Sequence, residues 1–175
     1  LWSNVLSEGK SSRLFHPLVY EQKVAKDVFA FQVSQKLSSF YVIAATAAPG
    51  VDVDRLHTAL RGAIDAALAT PPSERELTRA KNAFKKDFFA RIESAGSRAS
   101  LLATYYLHTG QADYIAEDLG RYTSATASSV HEAARRYLQP GRHVRIDFVP
   151  GERSAPLQML QPAADPNSAA QGDSR

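Results

Sequence analysis

The chain has no cysteine, which removes disulfides and thiolate metal sites and leaves its redox compartment open. It has no long apolar run either. The longest, about Val42–Ala48, falls far short of the roughly 18–20 residues a bilayer-spanning helix requires. Nor does one sign of charge dominate: 21 Lys and Arg stand against 18 Asp and Glu, a formal +3. Nucleic-acid binders gather basic residues on one face. Here acids interrupt the basic clusters. In residues 74–93, for example, Arg79, Lys81, Lys85 and Lys86 are interleaved with Glu76, Asp87 and Glu93. Such mixing marks a solvated helix face laced with i,i+4 pairs, so no nucleic-acid partner is expected. No internal repeat and no signal peptide is visible. The opening Leu1-Trp2-Ser3-Asn4-Val5-Leu6 reads as the middle of a helix, which suggests that an upstream leader is missing.

Catalytic signatures are also lacking. Gly9-Lys10-Ser11 has the ending of a phosphate-cradling loop, but Asn4 stands where its first glycine belongs and the preceding segment reads as helix. His131-Glu132-Ala133-Ala134-Arg135 begins like the zinc motif H-E-x-x-H, which needs two histidines one helical turn apart to ligate from one face. Arg135 occupies the second position. The inverted form H-x-x-E-H is absent, and His16, His57, His108, His131 and His143 are scattered singly. No Gly-x-Ser-x-Gly elbow supports a serine nucleophile. Tyr105, Tyr106, Tyr114 and Tyr122 fall at helical spacings and read as core residues with a hydroxyl at the rim. Catalytic residues: none. Metal ligands: none.

What is present is a globular composition, 44% hydrophobic and 22% charged over 175 residues, enough for one domain with a core. Trp2, Val5 and Leu6 predict a helix stopped by Gly9. Ser11 or Ser12 can cap an amphipathic helix whose Leu14, Leu18 and Val24 face one way, with Pro17 early enough to be tolerated. Alternation predicts two strands, one around Val28–Val33 and one around Phe40–Ala45, joined as a hairpin by the short polar link Ser34–Ser38. Pro49-Gly50 ends the pair. A stripe of Leu56, Leu60, Ile64, Ala67 and Leu68 predicts a helix starting at Asp52 or Asp54 and broken by Pro71-Pro72. Ser73 and Glu76 form a capping box, opening a long helix on Leu77, Ala80, Phe84, Phe88 and Ile92. Gly96 is expected to interrupt it before a helix over Arg98–His108. Shorter helices are expected around Tyr114–Tyr122 and Thr126–Leu138, and a last strand over Val144–Val149 after Pro140-Gly141. Residues 1–150 thus read as one α+β domain, a mostly antiparallel sheet packed against a block of helices, with its first strand expected upstream of Leu1. Residues 151–175, with prolines scattered among Ala, Ser, Gln and Asn, read as a disordered linker or tail.

The order of these pieces resembles the non-catalytic lobe of the insulinase/pitrilysin/mitochondrial processing peptidase superfamily of zinc metallopeptidases. The likeness is carried by Gly9-x-Ser11-Ser12-Arg13-Leu14, Leu18-Val19-Tyr20-Glu21-Gln22-x-Val24-Ala25, Ala47-x-Pro49-Gly50-Val51 and Pro72-Ser73-Glu74-x-Glu76-Leu77-x-Arg79-Ala80-Lys81. It implies a processing-peptidase-like lobe, truncated at its N-terminus, that helps close a peptide-degrading chamber. It implies no cofactor in this chain and zinc in a catalytic sister lobe, in the same polypeptide or in a partner subunit. It also implies that an edge strand pairs with an extended peptide substrate, so Gly9, Lys10, Ser11, Ser12, Val28, Phe29, Ala30 and Phe31 become the candidate substrate-binding residues. Lobes that support catalysis directly carry an Arg and a Tyr separated by six residues. Val19 and Lys26 stand at the matching positions here. Bacterial relatives are often exported, which points to the periplasm. A structural subunit of the same fold without protease activity, like the core proteins of the respiratory cytochrome complex, and a free-standing peptide-binding scaffold are the alternatives.

Overall fold

A computed structural model of the chain describes residues 1–139 and 141–151. Helix α1 (Trp2–Ser7) is short but carries Trp2, Val5 and Leu6 at i, i+3 and i+4, and all three are buried. Val5, Leu6, Leu14 and Leu18 have no exposed surface and form the centre of the core. Burying a side chain of this size contributes about 1.5–3 kcal/mol.

The segment after α1 departs from the expected amphipathic α-helix. Ser12 and Ser11 cap nothing. The chain makes a turn closed by Ser12 N–H to the Gly9 carbonyl, and then a π-helical turn over His16–Glu21 whose last bond runs from Gln22 N–H to the Pro17 carbonyl. Pro17 has no N–H to give to a regular α-ladder, and the wider i to i+5 loop absorbs it. Leu14 and Leu18 still point inward, so the expected apolar face survives the change in helix type. Lys23, at φ 51, turns the chain out of the π turn into the sheet.

Strands β1 (Ala25–Ser34) and β2 (Ser39–Ala47) form a two-stranded antiparallel hairpin, with Phe29 opposite Ala44, Ala30 opposite Ile43 and Phe31 opposite Val42. The register shifts once, between Ala25 and Asp27, so Lys26 sits at a bulge. Val28 and Ala30 face the core, while Phe29 and Phe31 stack on each other on the outer face, 6.1 Å apart.

Helix α2 (Val53–Ala69) is capped by Asp52, whose carboxylate accepts from Asp54 N–H at 3.0 Å. Helix α3 (Glu74–Glu93) opens on the expected capping box. The break after it lies at Ser94, not at Gly96. Ser94 is extended and its hydroxyl accepts from Ser97 N–H, so α4 (Ala95–Thr109) starts before Gly96, which lies in its first turn. A serine that can cap ends one helix and begins the next more effectively than a glycine, which only lowers helix propensity. Helices α5 (Ile115–Thr123) and α6 (Ala127–Tyr137) lie where the periodicity put them. Leu1–Val144 is one compact unit.

The expected strand over Val144–Val149 is absent among the described residues. Val144, Ile146, Phe148 and Val149 are exposed, and Arg145 pairs with Asp147 at 2.8 Å. Alternation supplies two faces, but a strand also needs an edge to bond with, and no edge pairs with this segment. The tail expected over 151–175 lies outside the described residues from 152 onward.

Candidate functional site

The turn after α1 is organised by Arg13, which inserts its guanidinium between three elements. Its Nε and one Nη2 hydrogen go to the two carboxylate oxygens of Glu76, at 2.8 and 2.9 Å. Nη1 donates to the carbonyls of Ala67 and Thr70, and Nη2 also donates to that of Pro71, all within 2.8 Å. All five donors of the planar fork are used. Three of them satisfy carbonyls at the end of α2, which a helix terminus leaves without partners. The Trp2 ring covers the guanidinium at 5.7 Å. Glu76 serves two roles, since its Oε2 also accepts from Ser73 N–H in the capping box. The Arg13 hydrogen bonds, opposed by burial and helped by those of Ser73 and then by the Arg13 charge, hold the Glu76 carboxyl down to about 2.

The candidate substrate residues fall into two groups. Gly9 (φ 80), Lys10 and Ser11 are exposed on the turn. Ser11 Oγ accepts from Arg79 Nη1 at 2.6 Å, which ties the turn to α3. Ser12 is fully buried, so it packs the turn and does not meet a ligand. On β1, Phe29 and Phe31 are nearly half exposed, whereas the Val28 and Ala30 side chains are buried. A peptide could reach Val28 and Ala30 only through their backbone.

One contact joins the turn to the strand. Ala30 N–H donates to Ser7 Oγ at 2.9 Å, and the Ser7 hydroxyl donates in turn to the Ser3 carbonyl at 3.1 Å. The end of α1 therefore lies against the outer edge of β1 and occupies the Ala30 donor. The sequence signal for this was weak, because a serine in the last turn of a short helix has many bland uses. Arg13 was visible as part of a motif, but its five acceptors lie 54 to 63 residues downstream.

Val19 lies in the π turn and Lys26 is exposed at the bulge. Among the described residues no cluster of three His, Asp or Glu could hold a metal. The ring of His131 meets the Leu68 carbonyl through Nε2 at 2.9 Å and lies beside Trp2, linking α6 to α2. A shallow groove of about 630 Å³ runs between the exit of the π turn and α2, lined by Gln22, Val24, Asp54, Arg55, Thr58 and Ala59. No described helix is long and apolar enough to cross a membrane.

The chain is similar to known proteins in sequence and in fold. A family model described as the Peptidase M16 inactive domain matches residues 1–84. The zinc protease PqqE of Helicobacter pylori (strain ATCC 700392 / 26695) is 28% identical over 115 residues, which are 64% of this chain and 26% of that protein. The chain thus spans about a quarter of that relative's length. The inactive peptidase domain of a candidate zinc protease from Bordetella parapertussis superposes with a TM-score of 0.78 at 23% identity, over 90% of this chain and 83% of the other. A candidate zinc protease from Bordetella pertussis Tohama I gives 0.76 at 24% identity, over 85% and 81%. These two structures speak to the fold alone. Together the matches bear out the resemblance: residues 1–84 match the model of the Peptidase M16 inactive domain, and the α+β fold is that of the inactive peptidase domain of a zinc protease.

Proposed function

We propose that this M16 inactive domain works as the non-catalytic lobe of a zinc metallopeptidase. It walls a peptide-degrading chamber and anchors extended peptide at the outer edge of β1, where Ser7 now holds the Ala30 donor, while zinc and the cutting residues belong to a sister lobe. A periplasmic location is part of the same reading. The observation that carries the anchoring is the outward-directed N–H of Ala30 on a strand edge whose outer face bears the stacked Phe29 and Phe31. Ladder hydrogen bonds hold an extended peptide whatever its sequence, and aromatic side chains beside them favour apolar residues. Gly9, Lys10 and Ser11 would flank the bound segment from the turn.

Ser7 sharpens this reading. Its hydroxyl fills the place of a peptide carbonyl, so binding at Ala30 exchanges one hydrogen bond for another. Replacing Ser7 by Ala frees the donor and should tighten an apolar extended peptide several-fold. Ala30→Pro removes the N–H and should abolish binding while leaving the circular dichroism spectrum in place, since this donor is outside the hairpin ladder. Fluorescence anisotropy with a labelled apolar peptide reads both variants. Equal affinity for wild type, S7A and A30P would dismiss anchoring at this edge.

A further inference from the structure

Two arginines meet the turn after α1, and they are used differently. Arg13 gives all five donors and is neutralised by Glu76. Arg79, on α3 just past Glu76, gives a single hydrogen bond, from Nη1 to the exposed Ser11 hydroxyl at 2.6 Å. Its Nη2 is buried without an acceptor. Among the described residues no carboxylate pairs with Arg79 or with the exposed Lys10. A buried donor with nothing to bond to is costly, most of all on a charged group. The guanidinium fork is shaped to meet a carboxylate through two N–H groups at once.

The turn itself offers more to such a ligand. Gly9, at φ 80, has open space where a Cβ would stand, and the N–H groups of Gly9, Lys10 and Ser11 meet no acceptor among the described residues. Successive N–H groups of a turn make a concavity that suits an anion. Gly9-Lys10-Ser11 lacks the first glycine of a nucleotide loop, yet the groups such a loop turns on an anion are present. The Ser11 hydroxyl accepts from Arg79 and keeps its own hydrogen to give. Glu8 is the one acid of the turn, and Lys10 offsets it. We propose that this turn and Arg79 take a carboxylate of the bound peptide, from an acidic side chain or a free C-terminus. The carboxylate replaces the neutral Ser11 oxygen as the acceptor of Arg79, and Ser11 turns its hydrogen to the second oxygen. A charge-assisted bond of this kind is roughly twice as strong as the one it replaces. The inference rests on the peptide anchoring proposed for β1 and gives it a substrate class. Ser7 and Ser11 are no more than about 14 Å apart along the chain, so the carboxylate lies within about four extended residues of the one paired at Ala30.

The test uses the full chain and three forms of one N-terminally labelled apolar peptide, read by fluorescence anisotropy. The first is amidated and carries no carboxylate, the second has a free C-terminus, and the third is amidated with a single internal Asp. Wild type should bind at least one carboxylate form about three- to tenfold more tightly than the amide. Which form gains identifies the source, terminus or side chain. Arg79→Gln should erase that preference while leaving the amide's affinity unchanged, with a melting curve recorded alongside to show it folded. Arg79→Lys, which keeps the charge but not the fork, should retain part of it. Equal affinity for all three peptides in wild type overturns the carboxylate site, and so does a preference that survives in R79Q. The amide reads anchoring at β1 alone. If it fails to bind while a carboxylate form binds through Arg79, the anchoring falls and the site stands. If no form binds wild type, both fall.

Discussion

The block from Trp2 to Ala80 and the arm from Phe84 to Thr123 belong to one compact unit but are held by different physics. In the first, Val5, Leu6, Leu14 and Leu18 have no exposed surface, and Arg13 gives all five donors to α2 and Glu76. In the second, α4 buries only Tyr105 and α5 buries nothing. The arm relies on aromatic contacts, Phe84 stacked on Tyr122 at 3.8 Å and Phe88 beside Phe84, and on the Tyr105 hydroxyl donating to Asp118 at 2.7 Å. Lys81 adds a bond to the Thr123 carbonyl. A region that buries little opens locally at low cost, whereas one closed around a saturated guanidinium opens only with the whole fold.

The largest test of that contrast is Arg13→Ala. It strands the Glu76 carboxylate and three carbonyls at the α2 end, and should cost about 3–5 kcal/mol in urea unfolding. Arg13→Lys should recover little, because an ammonium cannot bridge both the carboxylate and the helix end. A loss below 1 kcal/mol would show that the block does not depend on this residue.

Acid should act on the same block next. Glu76 is depressed from 4.5 to about 2, so its stabilisation is full above pH 4.5 and is lost as pH falls from 4.5 towards 2. The loss is on the order of 2 kcal/mol after allowing for partial exposure. Glu76→Gln should flatten that part of the stability profile, and an unchanged acid limb in the variant would remove Glu76 as its source.

In the arm, burial and then the neighbouring Asp118 push the Tyr105 phenol up, so it stays protonated and donating at physiological pH. Tyr105→Phe should cost about 1–2 kcal/mol, and hydrogen exchange should quicken in α4 and α5 with α2 unmoved. Equal acceleration in α2 would break the division between the regions. The smallest effect belongs to Ser73→Ala. It removes one half of the capping box and should cost about 1 kcal/mol, less than Arg13→Ala because Arg13 still holds Glu76.

Much of this was legible along the chain because it is local. Asp52 and Ser73 declared their helices through side chains that reach two or three residues ahead, and the polar link after Ser34 declared the hairpin. Where a local signal competed with a stronger neighbour the reading slipped: Gly96 yielded to the cap at Ser94, and Pro17 turned an expected α-helix into a π turn. The Val144–Val149 pattern shows the other limit. Alternation describes a strand's two faces and says nothing of its partner. For the candidate substrate residues, spacing along the chain did not show which side chains face inward. Ser12 and the side chains of Val28 and Ala30 turned inward, and Ser7 entered the site unannounced.

By itself the sequence determined the kind of protein this is. It holds no thiol, no paired histidines and no spanning run, and its helices are set by caps and apolar stripes that operate within one or two turns. The tertiary structure decided which groups remain available to a partner. Arg13 finds its acceptors more than fifty residues away, and Ser7 takes the Ala30 donor across 23 positions. Hydrogen bonds of that reach depend on how elements pack, and no spacing along the chain encodes them.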